Sequence, residues 1–337
     1  MIIGINTIYK EYFSDRIFDV HACKLGQNLL MPYVLLKEKV EKQGGEVHTL
    51  DLLNLEDVDI VLFFDLPEDS IVTIRNPLKF FIYFIRKKWK YDFFLKILLM
   101  KNRPSMYLII NEPPVVNNIS YRDNYYGYFK KIFTWNRDLV DNKKIFLLSI
   151  PQPLPPNLFF CSFEKKRKYV IVSSNKSSKH KDELYSARKR IIDFFEEKGL
   201  DLYGYGWGKE NLKCYRGITE NKLETLSKYK FCFCFENMKN ISGYITEKIF
   251  DCFFSKCVPI YFGAEDITDI IPTKCYIDFR QYNSLEELEV KLNKIGEEEY
   301  SRYLFSAEQF LNSNEFQNTF SIEKYVESIL QGIEVKK

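Results

Sequence analysis

Every side chain from Phe231 to Phe235 is apolar, and this run is too short to form a buried helix. It predicts a central strand of a parallel sheet, because strands covered by helices on both faces are apolar throughout. Glu236 and Asn237 follow at the carboxyl end of the strand, and a helix with one apolar face is predicted to begin near Thr246. Polar groups between two buried elements indicate a binding site at this edge of the sheet.

The first turn of that helix carries the charges of the predicted site. Glu247 and Lys248 both lie there, after the flexible turn formed by residues 242–244. A helix amino terminus offers free N–H groups and a partial positive charge to an anion. An anionic ligand with Lys248 as its countercharge is therefore expected, and the alternative is a solvated Glu-Lys pair on an ordinary helix.

Three short motifs occur in this stretch: F-E-N at 235–237, Y-I-T-E-K at 244–248 and V-P-I-Y-F-G at 258–263. Together they closely resemble the signature of the α-1,3/4-fucosyltransferases, glycosyltransferase family 10. Weaker similarity covers most of the chain from about Met106 to Tyr325. The resemblance implies an inverting transferase of the soluble bacterial type, which moves L-fucose from GDP-fucose to a GlcNAc-containing or related glycan in α-1,3 or α-1,4 linkage. An oligosaccharide or a glycolipid would be the acceptor.

The resemblance also implies roles for individual residues of the donor site. Glu247 would stabilise the fucosyl ring or its developing positive charge, and Asn237 and Tyr244 would help to hold the nucleotide sugar together with Thr246. Lys248 and the amino end of the helix would stabilise the phosphates, since no cluster of metal ligands is apparent.

A second phosphate ligand is predicted in the helix at 184–197. Family members carry an arginine there that contacts the donor pyrophosphate, and Arg188 aligns best with it. A planar guanidinium can bind two phosphate oxygens at once, which suits this role better than a lysine does. The neighbouring Lys189 and Arg190 are interpreted as a solvated helix face, and the same interpretation is the alternative for Arg188.

Inversion needs a base on the acceptor side, and Glu112 is the candidate. It follows the predicted strand at 106–110, and the prolines after it fix the backbone at the end of that strand. Family members carry a glutamate at the corresponding turn, which is regarded as their general base. The Asn-Glu-Pro pattern here differs from the better-known Gly-Glu-Asn form. An exposed loop glutamate is the alternative, and Asp65 is then the next candidate.

Strand-like and helical runs alternate along the chain, which is typical of parallel β-α-β units. Strands are predicted at 2–5, 47–50, 60–64, 106–110, 132–135, 145–148, 169–173, 200–203 and 231–235 and from Val258, and helices at 29–42 and 184–197. Four prolines in residues 151–156 interrupt the alternation and predict a linker. The predicted class is therefore α/β, with two Rossmann-like domains facing a cleft, the GT-B architecture.

The domain boundaries follow from that linker. Residues 1–150 are predicted to form an acceptor-binding domain, 151–157 the proline-rich linker, and 158–337 a GDP-fucose-binding domain with C-terminal helices.

The sequence gives little support for a metal or another cofactor. Asp57 and Asp59 form a D-x-D pattern, but it lies directly before a strand in the first half, and no two of the three histidines have zinc-ligand spacing. Transfer is expected to need no divalent metal. The glycine-rich run at 204–208 lacks the spacing of a dinucleotide fingerprint and is interpreted as a turn.

Charge and cysteine usage bear on partners and location. The formal net charge of +3 predicts no general binding of polyanions, and nucleic acid is not an expected partner. Eight cysteines without a C-x-x-C pair are interpreted as free thiols in a reducing compartment. With no signal peptide and no apolar run long enough to span a bilayer, a cytoplasmic location is expected.

One segment, residues 75–103, does not fit the enzyme hypothesis alone. It combines nine basic residues with many aromatics and a single acidic residue, Asp92. A helix pair that buries its aromatics is the favoured interpretation, and peripheral contact with an anionic membrane is the alternative. Two rival functions stay open: a GT-B enzyme with another nucleotide sugar, and a non-enzymatic membrane or nucleic-acid binder acting through this segment.

Overall fold

The computed structural model describes residues 1–23, 28–67 and 92–334. These residues form two compact units. The first combines Met1–Pro153 with the C-terminal residues from Ile322 onward, and the second comprises Leu154–Ser321. Each unit is built on one parallel sheet, so the predicted α/β class with two parallel-sheet domains is confirmed.

The first unit contains a six-stranded sheet in the order β2-β1-β3-β4-β5-β6, with every neighbouring pair parallel. Its strands are β1 Ile2–Thr7, β2 Glu46–Thr49, β3 Ile60–Phe64, β4 Ser105–Ile110, β5 Lys131–Thr134 and β6 Ile145–Leu147. Helices α1 Met31–Glu41 and α2 Phe93–Leu99 contribute buried side chains to the two cores of this unit. The chain reverses direction across the sheet between β1 and β3, and such a switch point is where open α/β sheets bind ligands.

The second unit contains a five-stranded parallel sheet in the order β11-β10-β9-β7-β8. Its strands are β7 Arg167–Val172, β8 Leu200–Tyr203, β9 Tyr229–Phe235, β10 Val258–Phe262 and β11 Ile277–Asp278. Its helices are α3 Tyr185–Phe195, α4 Lys222–Ser227, α5 Glu247–Phe254, α6 Leu285–Lys294, α7 Glu297–Leu311 and α8 Asn314–Phe320. Here the switch point lies between β7 and β9.

All the predicted strands are confirmed to within two residues, and so are the helices predicted at 29–42 and 184–197 and the helix start near Thr246. The reason is visible in β9, where the five positions from Phe231 to Phe235 are buried, as a strand covered on both faces requires. No helix within residues 1–23, 28–67 and 92–334 is long and apolar enough to cross a membrane.

The C-terminal helix corrects one predicted boundary. Helix α9, Ile322–Gly332, packs on α1 and β5 of the first unit, whereas the sequence placed everything after residue 157 in the second domain. Its apolar face, with Val326 and Ile329 fully buried, joins the same core as Ile3 and Leu36. An amphipathic pattern shows that a helix covers a core, but it does not show which of two sheets that core belongs to.

Candidate active site

A pocket lies beside the ends of β7 and β9, at the switch point of the second sheet. The last residues of both strands line it, together with three cationic side chains, Arg188, Lys222 and Lys248. Arg188 comes from α3, Lys222 from the start of α4 and Lys248 from the first turn of α5. Three positive charges converging on a switch point fit an anionic ligand better than a neutral one.

Thr246 begins α5 and connects it to the end of β9. It is the N-cap residue, and its hydroxyl oxygen accepts a hydrogen bond from the Lys248 N–H at 3.4 Å. The buried Glu236 carboxylate in turn accepts from the Thr246 N–H at 2.9 Å and from its hydroxyl at 2.8 Å. Glu236 is therefore a support residue that holds the start of the helix against the end of the strand.

Lys248 lies between two carboxylates. Its Nζ is 3.1 Å from Glu236 Oε2 and 3.6 Å from Glu247 Oε1. Burial lowers the pKa of Lys248, but the two carboxylates outweigh it, so the net shift is upward. Lys248 is therefore a permanent positive charge, and 21% of its side chain stays exposed for contact with a ligand.

Glu247 is held in its ionised form. Burial raises its pKa, but Lys248 and Lys222 together lower it to about 2. Lys222 Nζ lies 4.0 Å from Glu247 Oε1 and 2.6 Å from Asp251 Oδ2. Glu247 thus carries a negative charge at any working pH, which suits a group that faces a developing positive charge.

Sequence reasoning missed Lys222 and Asp251. Lys222 lies 25 positions before Glu247 and 29 before Asp251, so no local motif connects them. The only available signal was that Asn221 caps α4, which placed a lysine at the first position of a helix just ahead of the central strand β9. The contact between α4 and α5 is tertiary, and only the folded chain brings these three charges together.

Arg188 is anchored more deeply than a phosphate ligand on a helix surface would be. Its Nη2 donates to the carbonyl oxygens of Phe235 and Glu236, each at 2.7 Å, and to Asn237 Oδ1 at 3.1 Å. Its side chain is buried, and burial lowers its pKa. The expected solvated face is confirmed for its neighbours Lys189 and Arg190, which are exposed.

Asn237 and Tyr244 form the other side of the same network. Asn237 Nδ2 donates to the Tyr244 hydroxyl at 3.2 Å, while its Oδ1 accepts from Arg188. The structure thus brings together all six donor-site residues that the sequence singled out, namely Arg188, Asn237, Tyr244, Thr246, Glu247 and Lys248. Their roles toward a nucleotide sugar stay predictions.

Gly263 makes room for the Glu236 side chain, and this gives a first testable prediction. A Cβ at Gly263 would lie 2.5 Å from Glu236 Cγ and 2.6 Å from the Tyr261 hydroxyl oxygen, and both neighbours are buried. We expect Gly263→Ala to lower the free energy of unfolding by about 1–3 kcal/mol, measured by urea denaturation. Gly208→Ala is the matched control, because a Cβ there meets nothing within 4 Å. Equal stability of both variants would contradict this packing.

Glu112 lies in the first unit, at the carboxyl end of β4 and near the end of β1. The Tyr9 hydroxyl donates a hydrogen bond to Glu112 Oε1, and the Tyr121 hydroxyl donates to the Glu112 carbonyl oxygen at 2.9 Å. Trp135 Nε1 donates to the Asn111 carbonyl oxygen at 2.8 Å. The predicted base is half-buried and hydrogen-bonded on a fixed turn, unlike a freely exposed loop glutamate.

The remaining sequence interpretations have different outcomes. Asp59 Oδ2 accepts from the Ile2 N–H at 2.7 Å, and no group of three metal-ligating side chains occurs among the described residues. Gly204, at φ +139°, lies where a Cβ would be 2.0 Å from the Ser173 carbonyl oxygen, so the glycine-turn interpretation is confirmed. All eight cysteines are free thiols. Most of segment 75–103 lies outside the described residues, and of the remainder Phe93 and Phe94 are buried.

Comparison with known proteins agrees with the site. Residues 163–330 match the family model for glycosyltransferase family 10 (fucosyltransferase) C-term. A parallel-sheet α/β unit with this charged switch-point site is thus a glycosyltransferase domain. The chain belongs to glycosyltransferase family 10 through this domain, which occupies its second half.

Individual relatives match over shorter stretches. An α-(1,4)-fucosyltransferase of Arabidopsis thaliana is 38% identical over 148 residues, which is 40% of this chain and 36% of that protein. The α-(1,3)-fucosyltransferase FucT of Helicobacter pylori is 40% identical over 68 residues, 20% of this chain and 14% of that protein. These alignments therefore span about a third or less of each curated relative.

The fold extends further than the sequence similarity. A crystal structure of an α1,3-fucosyltransferase with GDP-fucose superposes with a TM-score of 0.56 at 17% identity, covering 100% of this chain and 90% of that chain. This likeness establishes the GT-B fold class.

Proposed function

We propose that this protein is an inverting fucosyltransferase that transfers L-fucose from GDP-fucose to a hydroxyl group of a GlcNAc-containing or related glycan, in α-1,3 or α-1,4 linkage, without a divalent metal. The observation that carries the proposal is the folded position of the Y-I-T-E-K motif, residues 244–248. It begins a helix at the switch point of the second sheet and presents Lys248 and Glu247 beside Arg188 and Lys222.

The charges of this site match the demands of sugar transfer. The transition state resembles an oxocarbenium ion, in which the leaving diphosphate gains negative charge while the sugar ring gains positive charge. Lys248, Lys222, Arg188 and the amino end of α5 would stabilise the diphosphate, and the ionised Glu247 would stabilise the ring. Three protein cations line the pocket, and their contact with the diphosphate would not require a divalent metal, which supports this part of the proposal.

Glu112 would act as the base of the first unit. It would remove the proton of the acceptor hydroxyl as that oxygen attacks the anomeric carbon, and the bond from this carbon to the phosphate oxygen would break to release GDP. The hydrogen bond from Tyr9 to Oε1 and the fixed Asn-Glu-Pro turn support this role, because both restrict the direction of the carboxylate. A cytoplasmic location and a contact with anionic membrane stay predictions.

Donor binding tests the proposal directly. We expect GDP and GDP-fucose to bind in the presence of EDTA, with UDP binding at least about tenfold more weakly, which corresponds to 1.4 kcal/mol. Isothermal calorimetry gives the affinities. Lys189→Ala replaces an exposed cation on the same helix as Arg188, so this control variant should bind GDP as the wild-type protein does.

Other outcomes would redirect the proposal. Equal affinity for UDP and GDP would point to a GT-B enzyme with another nucleotide sugar, and binding only with manganese would contradict the metal-free mechanism. No nucleotide binding, with affinity for anionic vesicles or RNA that collapses with salt, would favour a non-enzymatic binder.

A further inference from the structure

A second carboxyl group lies buried directly behind Glu112, and we propose that Asp65 is the positioning residue of Glu112. In this proposal Asp65 accepts hydrogen bonds from the Asn111 and Glu112 N–H groups and thereby fixes the turn that carries Glu112. The proposal rests on the proposed role of Glu112 as the base, and it adds a residue that acts on the base without touching the acceptor.

The contacts of Asp65 hold the turn that carries Glu112 in place. Its Oδ2 accepts from the Glu112 N–H at 3.1 Å, and both of its carboxyl oxygens lie 3.3 Å from the Asn111 N–H. Its Oδ1 accepts from the Ser120 hydroxyl at 3.1 Å, and the Ser120 oxygen accepts from the Leu66 N–H at 2.9 Å. The end of β3 is thereby tied to the turn that follows β4.

The backbone of Asp65 is adapted to this task. Its φ of +62° lies in the left-handed region, which aspartate and asparagine tolerate better than most residues. Its N–H donates to the Ile109 carbonyl oxygen at 2.9 Å, which holds the residue beside the last positions of β4. An unusual backbone conformation that places a buried carboxyl beside a proposed base is the kind of local strain found at functional sites.

Electrostatics connects the two carboxyl groups. Asp65 is only 2% exposed, and burial raises its pKa well above the usual range, with the negative charge of Glu112 adding to the effect. Hydrogen bonds from Glu112, Ser120 and Asn111 partly oppose that shift. Two interacting carboxyl groups lose their protons in two steps that belong to the pair, and the second proton leaves at a higher pH than it would from a lone carboxyl group.

Within the part of the chain that the structure describes, four tyrosines interact with this pair. Tyr9 follows β1, Tyr33 lies on α1, Tyr121 lies after the Glu112 turn and Tyr325 lies on α9. Burial raises the pKa of all four, and the charge of Asp65 raises each further. They stay neutral at working pH and add no charge beside the two carboxyl groups.

The test follows the carboxyl carbon of Glu112 by NMR in protein labelled with ¹³C at glutamate, with the signal assigned by its loss in Glu112→Gln. In the wild-type protein we expect the Glu112 signal to show a main step and, at higher pH, a second inflection where Asp65 loses its proton. In Asp65→Asn we expect only the main step, because the second carboxyl group is gone. A wild-type titration in one step, or a second inflection that persists in Asp65→Asn, would overturn the proposal.

Steady-state kinetics provides a second test of the role of Asp65. Asp65→Asn should lower kcat by roughly tenfold to a hundredfold with little change in the KM for GDP-fucose, because the Glu112 turn loses part of its anchor while the donor site is untouched. Ser120→Ala removes only one hydrogen bond to Asp65, so its kcat should fall less. A loss of kcat in Asp65→Asn that only matches its loss of stability would show a purely structural role. If no transfer occurs in the wild-type protein the proposed function fails, while the NMR titration, which does not depend on activity, still decides the coupling.

Discussion

Glu112→Gln is expected to lower fucosyl transfer by roughly a hundredfold or more while leaving the affinity for GDP almost unchanged. Glutamine keeps the size of the side chain and an oxygen that can accept the Tyr9 hydrogen bond, but it cannot take up the proton of the acceptor. Glu112 belongs to the first unit and the donor residues to the second, so donor binding should not depend on this carboxylate.

The measurement compares turnover with calorimetry on the same preparation. The exposed Glu56 of the same unit provides the matched control, since Glu56→Gln makes the same chemical change away from the turn. Near-normal transfer by Glu112→Gln would show that Glu112 is not the general base, and Asp65 would then be the next candidate. Equal losses of GDP affinity and turnover would show that the assignment of donor and acceptor functions to the two units is wrong.

Lys248→Ala is expected to lower transfer by about 2–4 kcal/mol in transition-state free energy, because it removes a cation from a diphosphate that gains charge during the reaction. This substitution also leaves the fully buried Glu236 carboxylate without its ion-pair partner. Breaking a buried pair costs about 3–5 kcal/mol of stability, so the single variant could lose activity simply by unfolding.

A double variant separates the two effects. Glu236→Gln removes the unpaired charge and keeps an oxygen that can accept the Thr246 hydrogen bonds, so Lys248→Ala combined with Glu236→Gln should regain much of the lost stability. Transfer should stay low if Lys248 acts on the phosphates. Recovery of stability and turnover together, measured by thermal unfolding and steady-state kinetics, would mean that Lys248 only neutralises Glu236.

The pH dependence of transfer indicates which carboxyl groups must be ionised for the reaction. Lys248 and Lys222 outweigh the effect of burial and hold the pKa of Glu247 at about 2, so its charge is present above that pH and is lost only as the pH falls through it. An acidic limb at higher pH therefore cannot come from Glu247, whereas Asp65 and Asp251, whose pKa values are raised by burial, are candidates for it.

The sequence by itself determined the strands other than the short β11, the linker and the donor motif. Apolar runs such as β9 permit only a buried strand, and the prolines at 151–156 permit neither a helix nor a central strand, so local patterns were sufficient there. The Y-I-T-E-K motif gave the position of the α5 amino terminus because capping and helix periodicity act within a few residues of the chain.

Only the tertiary structure decided which charges meet and which core each helix covers. Lys222 reaches Glu247 and Asp251 through the contact between α4 and α5, Asp65 reaches the Glu112 turn across two neighbouring strands, and α9 packs on the first sheet although it follows the second in sequence. These contacts join residues far apart in the chain, and their partners are selected by strand order and by the packing of apolar faces. Periodicity and spacing carry no information about either, because they describe one element at a time.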